Sequence, residues 1–215
     1  MATELWLIRH GQAAFATDDY DRLTDLGWQQ ARWLGEHLAQ TDITFDRVMH
    51  GQLRRQRETA EAIVESIDGA PEEVFGFEEY SAEAIMMAAG WEGHDPSVSR
   101  REHFRRMRGA LLRWAAGELE GAETWDAFNA RVRNAVAEAV KNDGRVLVAA
   151  SGGSIALTLM QVMDLRADQW IEFNLQTRNA SITRLVFSSS RTYVNMFNAI
   201  PHLERPDRKH AETYS

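Results

Sequence analysis

Four consecutive apolar residues, Leu5-Trp6-Leu7-Ile8, stop at Arg9-His10-Gly11. The run is too short for a helix and fits a buried strand. Thr24 then stands as a helix N-cap with Asp25 in the first turn. Gly27, Ala31, Leu34 and Leu38 repeat at helical spacing behind it. Phe45, Val48 and Met49 predict a second strand, and Leu53, Ala60, Ile63, Val64 and Ile67 a second helix. Between about residues 70 and 122 the periodicity weakens, and "DGAPEE" reads as a break. Phe104, Met107, Leu111 and Ala115 predict a helix there, followed by another through Trp125, Phe128, Val132, Val136 and Ala139, capped by Thr124. Gly144 introduces the fully apolar strand Val146 to Ala150, then "SGGS", then a helical run from Ile155 to Met163. Ser181 to Phe187 and Tyr193 to Phe197 predict two strands about the turn "SSSR", and the polar tail from Pro201 is expected to be loose. Strands alternating with helices predict an α/β fold, a three-layer sandwich with a mostly parallel central sheet flanked by helices. The expected organisation is one domain over 1–215 with an insertion or lid at about 77–122.

Composition narrows the chemistry. A chain of 215 residues buries about 70% of its unfolded surface and needs no staples. It contains no cysteine, which excludes disulfides, thiol nucleophiles and thiolate metal sites. This suits a reducing cytoplasm, the expected location. The first apolar run has no Lys or Arg before it, so no signal peptide is expected. No stretch approaches the ~18 apolar residues of a membrane span. The net charge of −8 argues against nucleic acid, so an anion site must be a local concentration of arginines. The histidines lack metal-ligand spacing, and no metal or cofactor is expected. A homodimer is the default oligomer.

In open α/β sheets, ligands gather beyond the carboxyl ends of strands. Three polar clusters fall at such ends: Arg9-His10-Gly11, then "HGQLRR" with Arg54 and Arg55, then Ser151-Gly152-Gly153-Ser154 opening a helix. A helix N-terminus favours an anion. A neutral imidazole attacks phosphorus and carries the phosphoryl group. Guanidinium groups grip its oxygens, and a carboxyl group protonates the leaving oxygen. Glu78 and Glu79 of "GFEEYS" are the candidate acids. Arg100, Arg101, Arg105, Arg106 and Arg108 form a basic run, read as a solvated helix face or as a rim that attracts an anionic substrate.

The ordered set "LIRHG", "LTDLGWQQARWLGEHL", "FDRVMHGQLRRQRETAEAI", "GRVLVAASGG" and "NASIT" resembles the histidine phosphatase superfamily, the phosphoglycerate-mutase-like proteins. The resemblance implies that His10 accepts the phosphoryl group, that Arg9 and Arg55 clamp it, and that Glu79 is the acid. The implied catalytic set is His10, Arg9, Arg55 and Glu79; the implied phosphate-binding set is Arg9, Arg55, Gln12, Ser151 and Gly152. Three stretches depart from the family pattern. Ser151 stands where the family carries a second histidine, Gly51-Gln52 replaces Ser-Pro, and Gln12-Ala13 replaces Glu-Thr. The implied activity is phosphomonoester hydrolysis on a small phosphorylated substrate through a phosphohistidine, weakened at Ser151. Histidine at position 151 is expected to raise turnover. The alternatives are a non-catalytic phospholigand binder of the same fold and a phosphoglycerate-mutase-type phosphotransferase. A serine hydrolase built on "GGSIA" with Asp164 and His202 is the reading from another enzyme class.

Overall fold

The computed structural model describes residues 2–14, 21–91, 98–120 and 123–214. The sequence reading that falls on residues 16–20, on His94, and on 92–97 and 121–122 of the insertion lies outside them. A six-stranded sheet in the order β3-β2-β4-β1-β5-β6 forms the middle layer. Its members are β1 (Thr3–Arg9), β2 (Arg47–His50), β3 (Pro71–Glu73), β4 (Gly144–Ala150), β5 (Ile182–Phe187) and β6 (Thr192–Ala199). The β1–β4, β2–β4 and β2–β3 pairs are parallel, whereas β5 runs antiparallel to both β1 and β6. The sheet is therefore mostly parallel, with an antiparallel hairpin on one edge.

Alternate strand residues face opposite layers. Trp6, Ile8, Val48, Leu147 and Ala149 pack beneath Ala31, Leu34 and Leu38 of α1 (Asp25–Ala39) and Ala60, Ala62 and Ile63 of α2 (Arg54–Val64). Leu5, Leu7, Met49, Val146 and Val148 face the other layer. That layer comprises α3 (Ala82–Ala88), α4 (Arg100–Ala115), α5 (Trp125–Ala139), α6 (Gly152–Met163) and α7 (Ala167–Gln176). Tyr80, Trp114, Trp125, Phe128 and Trp170 form one aromatic cluster there, with Trp125 and Trp170 centroids 4.9 Å apart. Thr24 and Thr124 cap α1 and α5 by accepting from Gly27 N and Ala127 N. No described helix is long and apolar enough to cross a membrane.

Several features differ from the sequence reading, among them the short helix α3, for which the weak periodicity of the insertion gave no signal. "DGAPEE" contains β3, a short edge strand whose Pro71 has no ladder N–H to give, so its pattern resembles a turn. α7 carries only Trp170, Ile171 and Asn174 as buried residues, too sparse for a periodic signal. The tail is packed rather than loose: Ile200, Leu203 and Ala211 are buried against Leu26 and Trp33. Thr213 Oγ1 donates to Asn179 Oδ1 at 2.9 Å, and Gln30 Nε2 donates to the carbonyl of Ala211 at 2.7 Å.

His202 is buried within this tail, and neither ring nitrogen has a hydrogen-bond partner among the described residues. Burial, with His37 and Arg208 nearby, pushes its pKa down to about 3. Between that value and the unfolded value of 6.5 the unfolded chain binds the extra proton. This share of stability is complete above pH 6.5 and is lost as pH falls toward 3. Thermal melts should fall over that window, with His202 contributing up to about 1.4 kcal/mol per pH unit. His202→Leu should match the wild type at pH 8 and exceed it at pH 5; equal acid sensitivity of the two melts would refute the assignment.

Candidate active site

Parallel pairing sets the centre of the site. Arg9 pairs with Ala150 in the β1–β4 register, and His10 N donates to the Ala150 carbonyl at 2.9 Å. His10 and Ser151 therefore leave neighbouring strands side by side. The loop after β1 lies directly against the start of α1. A Cβ on Gly11 would come 2.3 Å from the Gly27 carbonyl oxygen, and one on Gly27 would come 2.2 Å from that of Gln12. Both glycines are required by this backbone approach.

The protonation state of His10 follows from its partners. Arg55 Nε only donates, and it lies 3.2 Å from His10 Nε2. The Gly11 carbonyl only accepts, and it lies 2.8 Å from His10 Nδ1. The proton therefore sits on Nδ1 and the lone pair on Nε2. Burial, reinforced by the Arg55 and Arg9 guanidiniums, holds the imidazole pKa well below its ordinary value, while the Gly11 carbonyl opposes the shift. The ring is therefore neutral at physiological pH, with its Nε2 lone pair unprotonated. The Asn179 amide donates to the His10 carbonyl at 3.2 Å, and Gly11 N donates to Thr59 Oγ1 at 3.0 Å.

Two buried arginines converge on this ring. Arg55, in the first turn of α2, is also held by Asp21, with Nη1 2.7 Å from the carboxylate. Arg9 donates through Nη1 to the Thr177 carbonyl. Its Nε lies 3.4 Å from where a Cβ on Gly152 would be. Arg9 thus borders the N-terminus of α6. Gln12 accepts from Thr24 Oγ1 at 2.9 Å through Oε1, which leaves its amide nitrogen as the available donor.

The two candidate acids are placed differently. Glu79 extends to the α6 N-terminus, where Gly153 N donates to its Oε2 at 3.0 Å. A Cβ on residue 153 would lie 2.1 Å from Glu79 Oε1, so glycine is needed for that approach. Glu78 accepts from Gly76 N at 2.9 Å and Gln52 N at 3.0 Å, and its Oε2 lies 3.6 Å from Arg131. Arg131 grips the same loop by donating to the carbonyls of Gly76 at 3.0 Å and Glu78 at 2.8 Å.

Ser151 is fully buried, and Gln56 Nε2 donates to its Oγ at 2.9 Å. Ser154 Oγ is engaged by the Phe77 carbonyl at 2.8 Å. The imidazole of His202 contacts no hydrogen-bonding group, so "GGSIA" assembles no serine–histidine pair among the described residues. In the basic run, Arg105 and Arg106 pair with Glu102, and Arg108 pairs with Glu172. No described group of three or more His, Cys, Asp or Glu residues is placed to hold a metal. Sequence reasoning missed Asp21, Gln56 and Thr59. Gln56 and Thr59 share a helix turn with Arg55, a signal available from the α2 register; Asp21 offered none.

Comparisons with known proteins place the chain in a family. Residues 5–200 match the model of the histidine phosphatase superfamily (branch 1), and the chain belongs to that superfamily. It is 29% identical over 192 residues to the "Serine/threonine-protein phosphatase Pgam5, mitochondrial" of Drosophila grimshawi, covering 88% of this chain and 60% of that protein. The chain thus spans about 60% of the length of such relatives. A solved mycobacterial glucosyl-3-phosphoglycerate phosphatase is 25% identical with a TM-score of 0.67, covering 93% of this chain and all of the other. A phosphoglycerate mutase from Bacillus anthracis shares the fold, at 21% identity and a TM-score of 0.66 over 94% and 95% of the two chains.

The Gln56 contact changes what substitution at position 151 should do. An imidazole on the Ser151 Cβ, directed as Oγ is, meets the buried Gln56 amide. Ser151→His alone should therefore lower the melting temperature and gain little turnover. Gln56→Ala/Ser151→His should recover both; phosphatase assays and melts on the two variants check this.

Proposed function

We propose that this chain is a phosphomonoester hydrolase that works through a phosphohistidine at His10. The observation that carries the reading is the neutral Nε2 lone pair of His10, held between two buried guanidiniums and the N-terminus of α6. The names of similar proteins, a serine/threonine-protein phosphatase and a glucosyl-3-phosphoglycerate phosphatase, support a phosphomonoester as the substrate class.

The reaction has two steps. The phosphoryl group enters where Arg55, Arg9 and the N-terminus of α6 converge, an environment suited to a dianion. Arg55 Nε moves from the lone pair of Nε2 to a phosphoryl oxygen. Nε2 attacks phosphorus in line, the N–P bond forms, and the ester P–O bond breaks. Glu79 gives its proton to the departing alkoxide. The phosphorylated ring then carries a positive charge, which the Gly11 carbonyl stabilises through Nδ1–H. In the second step water gives a proton to Glu79 and attacks phosphorus. The N–P bond breaks, inorganic phosphate leaves, and the neutral ring returns.

Ser151 favours a second reading, a phospholigand binder without turnover, because serine supplies a weaker donor than imidazolium. A brief pulse of radiolabelled phosphoester separates the two. The hydrolase should yield an acid-labile, base-stable adduct that His10→Ala abolishes; binding with no adduct favours the second reading. Glu79→Gln should lower turnover by about 10²–10⁴-fold, and unimpaired hydrolysis in that variant removes Glu79 from the mechanism. Chelators should leave the rate unchanged.

A further inference from the structure

We infer that Gln56 is a positioning residue that makes the Ser151 hydroxyl a dedicated hydrogen-bond donor to the phosphoryl group. The inference rests on the reading of the His10 pocket as a phosphate site.

The orientation of the Gln56 amide is set by its surroundings. Gln56 is fully buried. Its nitrogen lies 2.7 Å from the Phe77 carbonyl, which only accepts, and its oxygen lies 3.2 Å from Leu53 N, which only donates. A flipped amide would set its oxygen against the Phe77 carbonyl and its nitrogen against Leu53 N, so the nitrogen faces Phe77 and Ser151. The second amide proton goes to Ser151 Oγ, 2.9 Å away. A Cβ at position 51 would lie 2.3 Å from Gln56 Oε1. Glycine there, one of the departures from the family pattern, leaves room for this conformation.

A serine hydroxyl has one proton and two lone pairs. Gln56 occupies a lone pair, so the Ser151 proton must point elsewhere. The Phe77 carbonyl already accepts from Gln56 Nε2 and from Ser154 Oγ. No described group accepts a hydrogen bond from Ser151 Oγ. Ser151 sits beside His10 in the β1–β4 register and caps α6. An anion bound at His10 is the acceptor that this donor lacks. A neutral, non-titrating Gln56–Ser151 pair thus stands where the family's second imidazole would donate.

The test measures binding of orthovanadate and inorganic phosphate by calorimetry, beside kcat and KM for p-nitrophenyl phosphate. Three variants are compared with wild type: Ser151→Ala, Gln56→Met and the double variant. Ser151→Ala should weaken vanadate binding and lower kcat by about 10²-fold, the scale of one lost transition-state donor, with a smaller change in KM. Gln56→Met should lose much of the same in the presence of Ser151 and nothing further in the Ser151→Ala background. A purely structural Gln56 would do equal damage in both backgrounds, and that result overturns the inference. Unchanged vanadate affinity in Ser151→Ala overturns it without any Gln56 variant, should Gln56→Met fail to fold. Wild-type protein that binds neither oxyanion overturns the reading of the pocket itself, an outcome visible before any variant is made.

Discussion

The commitment of one proton governs this site. His10 Nδ1–H is held by the carbonyl of the next residue, so the lone pair on Nε2 is the only reactive feature the ring presents. The Arg55 guanidinium lies against that lone pair and, with burial, keeps the ring neutral. The same cation that suppresses protonation of the ring gives its surroundings a positive charge. Neutralising either arginine would therefore raise the basicity of the ring and remove positive charge beside it.

That arrangement depends on close backbone packing. Gly11 and Gly27 let the loop after β1 lie on the start of α1 without side chains between them. Thr59 couples the same loop to α2 by accepting from Gly11 N and donating to the Arg55 carbonyl. Asn179 holds the His10 carbonyl and is itself held by Thr213 near the end of the chain. The loop that carries His10 is thus fastened by α1, α2, the approach to β5, and the tail. On the opposite layer, Arg131 and the aromatic cluster hold the 76–80 loop, which presents Glu79 to α6.

Much of this is legible in the sequence alone. The run Leu5 to Ile8, the apolar segment Val146 to Ala150, and the capped helices after Thr24 and Thr124 mark buried strands and amphipathic helices. Each sits in a continuous pattern whose period is local. β3 and α7 escaped because neither has such a pattern: three edge residues beginning with proline, and a short helix with sparse buried positions. The tail misled for a different reason. Its polarity is real, but Ala211 and Leu203 are buried against α1 residues far away in the chain.

What the sequence by itself determined is the inventory and the order: an imidazole, two arginines, a glutamate and a serine at strand ends of an α/β sheet, in the succession of one superfamily. Hydrophobic periodicity and short motifs carry that information because they are local. The tertiary structure decided how the parts share protons. It alone set which nitrogen of His10 bears the hydrogen, separated Glu79 from Glu78, and brought Asp21 to Arg55 and Gln56 to Ser151. Hydrogen-bond direction depends on groups up to 169 positions apart, and nothing in a local pattern encodes which of them meet.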